Sequence, residues 1–189
     1  MKRLLVKRRG FARIAYCGAC AAVCLTCVAQ APAQETSGPT QGSCLRFVQA
    51  FYDWYVPLTK KRMNEPTFDV VLQKKPDVFN SDLLQALRVD SEASAHAKDD
   101  IVGIDFDPFI GSQDPANRYE ARNAALLNDK CSVEIWRVSP AAIAKPTKPD
   151  VVADVGFDRG HWKFVDFRYP DVKTDLLSVL KTLREERKH

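Results

Sequence analysis

The spacing of apolar residues changes partway along this 189-residue chain, and that change restricts its fold more than any single motif. Up to about residue 97, apolar side chains recur at intervals of three and four; from about residue 118 they recur at every second position. Phe47, Phe51, Trp54, Tyr55 and Leu58 predict a helix over 43–60, with Ser43 as its N-cap. Such an aromatic stripe reads as core, with a ligand-stacking surface as the alternative. Phe68-Asp69-Val70-Val71-Leu72 then runs to a break at Pro76, and Ser81 opens a second helix with Leu83, Leu84 and Leu87 on one side. Extended segments follow at 118–127 and 131–138, around Asn128-Asp129-Lys130, and at 151–157 and 161–169, around Asp158-Arg159-Gly160. In the last of these, strict alternation sends Trp162 and Phe164 to one face and Val165, Phe167 and Tyr169 to the other. A closing helix over 172–187 carries Val172, Leu176, Val179, Leu180 and Leu183 as its apolar stripe. Helices followed by a meander of strands predict an α+β domain, a curved antiparallel sheet packed against helices on one face.

The N-terminus belongs to a different class of sequence. Lys2, Arg3, Lys7, Arg8, Arg9 and Arg13 precede an apolar stretch from Ile14 to Val28, and Ala31-Pro32-Ala33 supplies small residues for cleavage. This is the order of an export signal over 1–33, and the apolar stretch is shorter than the ~20 residues of a membrane-spanning helix. The expected compartment is the periplasm. Arg8-Arg9 leaves the general secretory and the twin-arginine routes both open. Cys17, Cys20, Cys24 and Cys27 have metal-like spacing but fall in the segment to be removed. Cys20 is the residue an acylated lipoprotein would use, a weaker alternative because the aliphatic residue expected three positions before it is missing. A polar lead-in covers 34–42, and a single domain is expected over 43–189.

Removing 1–33 leaves 22 basic against 24 acidic residues, a net charge of −2 in place of +4. The basic character therefore belongs to the signal, and no nucleic-acid surface is expected in the remainder. Only Cys44 and Cys131 remain. In an oxidising compartment they most simply form one disulfide, with two separate buried thiols as the alternative.

Three stretches carry a resemblance. Phe51-Tyr52-Asp53-Trp54-Tyr55 is similar to the F-Y-x-W-Y signature of a bacterial secreted and lipoprotein domain family of unknown function. Asp105-Phe106-Asp107-Pro108-Phe109 with Gln113-Asp114 resembles its D-x-D-P-F-x-x-x-Q-D loop, and Gly160-His161-Trp162-Lys163-Phe164 resembles its G-x-W-K-hydrophobic strand. The resemblance covers about residues 44–181 and implies a nuclear-transport-factor-2-like or cystatin-like cone. It implies no reaction.

A cone encloses a cavity that hosts either an enzyme or an inert pocket. Acid–base candidates are Asp105, Asp107, Asp114 and His161, with Tyr52, Tyr55 and Trp136 as wall residues. His96, alone at the polar end of its helix, reads as a surface residue. Calcium needs six to eight oxygens, yet Pro108, Phe109 and Ile110 occupy the positions where further ligands belong, so no metal or cofactor is expected, a weak or partner-completed site at Asp105, Asp107 and Asp114 being the alternative. The remaining reading is structural. Asp before Pro starts a turn, Gly111 permits positive φ, and Gln113 and Asp114 bond loop backbone while Phe106, Phe109 and Ile110 anchor to the core. The expected function is an exported, non-catalytic protein that binds a protein or envelope partner, with an immunity-type inhibitor of a secreted toxin as one version. The alternative is a cone-fold hydrolase, isomerase or small-molecule carrier working through a cavity Asp or His.

Overall fold

A computed structural model describes residues 38–61, 66–97, 102–140 and 146–188. The export signal expected over 1–33 and the start of the expected lead-in lie outside the described residues. Those described belong to one compact unit, Thr36–His189. Among the described residues it is an α+β fold of four α-helices and a five-stranded antiparallel sheet. The helices are α1 (Gln41–Thr59), α2 (Thr67–Lys74), α3 (Ser81–His96) and α4 (Leu176–Glu186). The strands β1 (Tyr119–Leu127), β2 (Lys130–Arg137), β3 (Val151–Asp158), β4 (His161–Tyr169) and β5 (Thr174–Asp175) lie side by side in chain order.

Helix α1 starts two residues before the expected position. Thr40 is its N-cap, and Ser43 is the third helical residue of a capping box, the Ser43 backbone N–H donating to Thr40 Oγ1 at 3.0 Å. The reciprocal bond, Thr40 N–H to Ser43 Oγ at 3.1 Å, satisfies a second orphan donor. The buried face of α1 is Cys44, Val48, Phe51, Tyr52, Tyr55 and Val56, so the stripe includes Tyr52 and leaves Trp54 half-exposed under the Lys75 ammonium at 4.9 Å. Residues 67–74, unassigned from sequence, form α2 and bury Phe68, Val70, Val71 and Leu72.

The largest departure from the sequence reading is in β4. Asp154 pairs with Asp166 and the next residue, Val155, pairs with Phe164, so Val165 is an extra residue in the ladder. This β-bulge cancels the alternation beyond it. Trp162, Phe164, Phe167 and Tyr169 are consequently all buried, and the rings of Phe164 and Phe167 stack at 5.0 Å. The closing helix is also shorter than its apolar pattern. Val172 is 69% exposed in a turn, β5 intervenes, and α4 begins at Leu176 with Asp175 as N-cap.

Cys44 of α1 and Cys131 of β2 form a disulfide across 87 positions, with both residues buried. Closing a loop that long removes chain entropy worth about 4–5 kcal/mol from the unfolded state. A second long-range tie joins α3 to the C-terminus. Asp90, fully buried, accepts from Arg187 Nη1 at 2.6 Å and from the Ile104 backbone N–H at 3.0 Å. The adjoining Gly103 is at φ +99°, where a Cβ would meet Ser94 Oγ at 2.1 Å. Only glycine fits that approach.

Candidate functional site

The loop between α3 and β1 is built around Asp107. Its backbone N–H donates to Ser112 O at 3.3 Å, while its carbonyl accepts from the N–H groups of Ile110 and Gly111. Gly111 takes the positive φ, +63°, that closes this turn. The Asp107 carboxyl is used at both oxygens: Oδ1 accepts from the Phe109 N–H at 3.0 Å and Oδ2 from the Tyr55 hydroxyl at 2.5 Å.

Two further tyrosines complete the clamp. Tyr52 donates to Phe109 O at 2.5 Å and Tyr169 to Pro108 O at 2.8 Å. Tyr52 and Tyr55 come from α1 and Tyr169 from β4, so one irregular segment is tied to a helix and to the sheet. Between these bonds Phe109 is fully buried, with ring centroids 5.5 Å from Phe51, 5.3 Å from Tyr55, 5.5 Å from Phe79 and 5.2 Å from Phe167. These rings pack together between α1, the loop and β4.

Electrostatics follow from that enclosure. Burial pushes the Asp107 carboxyl up to about 6, against the hydrogen bonds from Tyr55, Phe109 and Ile110 that favour its charged form. Burial, together with the nearby Asp107, also raises the Tyr52 and Tyr55 hydroxyls well above 10, and burial raises Tyr169 in the same way. All three therefore remain donors at neutral pH.

The other motif residues divide by exposure. Gln113 donates through Nε2 to Asp105 O at 2.8 Å and so closes the loop on itself, although both residues are exposed. Asp114 is exposed, and only its backbone takes part, the N–H donating to Ser112 Oγ at 3.1 Å. Pro108 is buried beneath the Tyr169 hydroxyl. A crevice of about 360 Å³ runs beside the loop, with Asp105, Asp107 and Gln113 in its lining.

The remaining acid–base candidates are not gathered there. His161 is exposed beside the Arg159-Gly160 turn, whose two residues both have positive φ. Trp136 pairs with Glu120 across β1, alternate to the buried Ile135, and its Nε1 donates to Glu134 Oε2 at 3.0 Å. It belongs to the sheet face away from the core. His96 is exposed in the last turn of α3.

Sequence reasoning missed Asp90 and Tyr169 as organising residues. Asp90 sits in a helix otherwise read by its leucines, and nothing local announces an arginine 97 positions away. Tyr169 was assigned to the face opposite Phe164, and only the bulge turns it toward Pro108.

No protein-family model matches the chain, and no curated protein matches it. Among solved structures, a chain of the type VI native effector-immunity complex Tae3-Tai3 from Ralstonia pickettii aligns at 19% identity, with a TM-score of 0.43. The alignment covers 66% of this chain and 93% of that one. The selenomethionine form of the same complex aligns at 20% identity with a TM-score of 0.42, covering 67% of this chain and 96% of that one.

Proposed function

We propose that this chain is an exported, non-catalytic envelope protein that works by binding a protein or envelope partner, an immunity-type inhibitor of a secreted toxin being one version. The observation that carries this reading is the filled interior: Phe51, Phe79, Phe109, Phe164 and Phe167 occupy the space a substrate chamber needs. In support, the most acid-rich motif directs both carboxyl oxygens of its central aspartate into holding a loop. The same reading takes residues 1–33 as a cleaved signal, the compartment as the periplasm, and the fold as a nuclear-transport-factor-2-like or cystatin-like cone of the secreted family resembled by its motifs.

The test is affinity purification of the tagged protein from its native host, followed by light scattering on the eluted species. A partner held at fixed stoichiometry through size exclusion is the expected result. A monomer with no partner, from cells grown both alone and in contact with competitors, would overturn it.

One observation favours a second reading. Asp107 is held near 6 beside a crevice of about 360 Å³, a value suited to a proton acceptor at neutral pH. In that reading, which keeps the cone fold but makes it a hydrolase, isomerase or carrier, Asp107→Asn abolishes a turnover or ligand affinity while the fold persists. In the favoured reading the same variant alters stability alone.

A further inference from the structure

We infer that the crevice beside the 105–114 loop receives a lysine side chain of the protein partner, its ammonium group meeting Asp105 and Asp107; this rests on the binding reading above and names the partner group that the site recognises. The crevice holds about 360 Å³. That is the lower end of the ~300–1,000 Å³ of small-molecule sites, room for one long side chain. Phe68, Ile104, Phe106 and Ile110 contribute apolar wall to it, beside Asp105 and Asp107. An apolar wall leading to carboxylates suits a stem of methylenes that ends in a compact charge.

Charge in this lining is of one sign. Among the described residues its ionisable members are Asp105 and Asp107 alone, with no lysine, arginine or histidine beside them. Neither acid forms an ion pair among the described residues. Lys60, next to Thr59 on the rim, donates instead to Asn117 O at 3.0 Å. Asp107 is half-buried, and neutral donors meet its carboxyl, the Tyr55 hydroxyl at one oxygen and the Phe109 N–H at the other. Each oxygen keeps acceptor capacity for a further donor. A carboxylate drawn out of water without a cation gains more from an arriving ammonium than an exposed one does, because its desolvation is already incurred in folding. With one position taken at each oxygen, the rotatable donors of an ammonium fit better than the fixed fork of a guanidinium.

The site is shaped before anything binds. Gln113 Nε2 holds Asp105 O at 2.8 Å, the Asp107 N–H meets Ser112 O at 3.3 Å, and the Phe106 ring lies edge-on to Tyr169 at 5.3 Å. Little ordering free energy is therefore lost on binding. Protonation competes with the ammonium, because burial holds Asp107 at about 6 and only its carboxylate attracts a cation. Affinity should rise as pH passes upward through 6. The other titratable groups facing Asp107 are Tyr52 and Tyr55 of α1, Tyr119 of β1 and Tyr169 of β4, with Asp105 on its own loop. Burial raises all four tyrosines, which stay neutral across this range. Helix α2 contributes only Thr67 and Phe68 to the crevice.

The experiment titrates the isotopically labelled protein with acetyl-Gly-Lys-Gly-amide at pH 8 and at pH 5. Counterparts with norleucine or arginine in place of the lysine, and free n-butylammonium, are the comparison probes. The expected result is amide shifts confined to residues 59, 66–68 and 104–115, with Kd on the order of millimolar. Affinity should be several-fold weaker at pH 5, and the norleucine peptide should bind about tenfold more weakly than the lysine peptide. Asp107→Asn should lower affinity about tenfold. With this contact that variant loses partner affinity as well as stability, and no turnover. Should it melt early, Asp105→Asn carries the same expectation at about threefold, since its exposed side chain makes no hydrogen bond among the described residues. Shifts elsewhere, no binding, equal binding of the norleucine peptide, tighter binding of the arginine peptide or of free n-butylammonium, or an affinity unchanged between the two pH values would each overturn the inference. The purification above tests the parent reading separately. A partner recovered equally by wild type and by Asp105→Asn/Asp107→Asn refutes the crevice while leaving the binding function standing.

Discussion

Replacing Tyr55 with phenylalanine removes one hydroxyl from the centre of the 105–114 loop and leaves Asp107 Oδ2 without its 2.5 Å donor. The expected cost depends on whether that carboxyl is charged. In the wild type, burial holds the folded Asp107 at about 6, while the unfolded value is near 3.9. The native state thus binds the proton more tightly, and the contribution of Asp107 to stability is greatest below about pH 4 and is lost as pH rises to about 6. The Tyr55 hydroxyl limits that loss because it favours the carboxylate. Without it the folded value moves higher, and the loss continues past pH 6. A hydrogen bond to a charged group contributes about 1.5–3 kcal/mol, and one to a neutral group about 0.5–1.5 kcal/mol. For a domain of this length 1 kcal/mol moves Tm by roughly 2–4 °C. Tyr55→Phe should therefore lower Tm by about 3–12 °C near pH 8 and by visibly less near pH 5, where Asp107 is protonated in both proteins. Thermal unfolding followed by circular dichroism at the two pH values measures this. Equal losses at both, or a larger one at the acidic value, would refute the assignment of Asp107 as the titrating partner.

Three further outcomes follow from the same packing. Cys44→Ser/Cys131→Ser should lower unfolding free energy in urea by about 4–5 kcal/mol, and a reductant should then leave the variant's midpoint unchanged while lowering that of the wild type. Arg187→Ala strands the buried Asp90 carboxylate and should cost about 3–5 kcal/mol by chemical denaturation; adding Asp90→Leu should recover much of the loss, because the stranded charge is then gone. Gln113→Ala should cost about 1 kcal/mol through its bond to Asp105 O, whereas Asp114→Ala should stay within about 0.5 kcal/mol, a contrast readable by differential scanning calorimetry.

Periodicity alone accounts for much of this fold. Apolar spacing in Phe47–Leu58 located α1, and β-branched alternation in Cys131–Val138 located β2, because both patterns are local consequences of burying one face. Boundaries were less legible. The reciprocal bonds between Thr40 and Ser43 move the start of α1, and Val172 looks helical in a linear pattern but lies in a turn. Helix α2 was invisible because eight residues are too short a window for a period of 3.6 to show. At the site, the motif residues stood out in sequence as a group, but their task did not, since the partners of Asp107 and Phe109 lie 52 and 57 positions away.

The sequence by itself determined the α+β order of elements, the position of Cys44 and Cys131 apart from the four cysteines of the N-terminal apolar stretch, and the concentration of acids and aromatics in the stretch from Asp105 to Asp114. These are properties of composition and short-range spacing. Tertiary structure alone decided that Val165 is bulged, that Tyr169 therefore reaches Pro108, and that Asp90 meets Arg187. Each of these depends on where a distant strand or helix lies, and a one-residue slip in a ladder reverses every side chain after it.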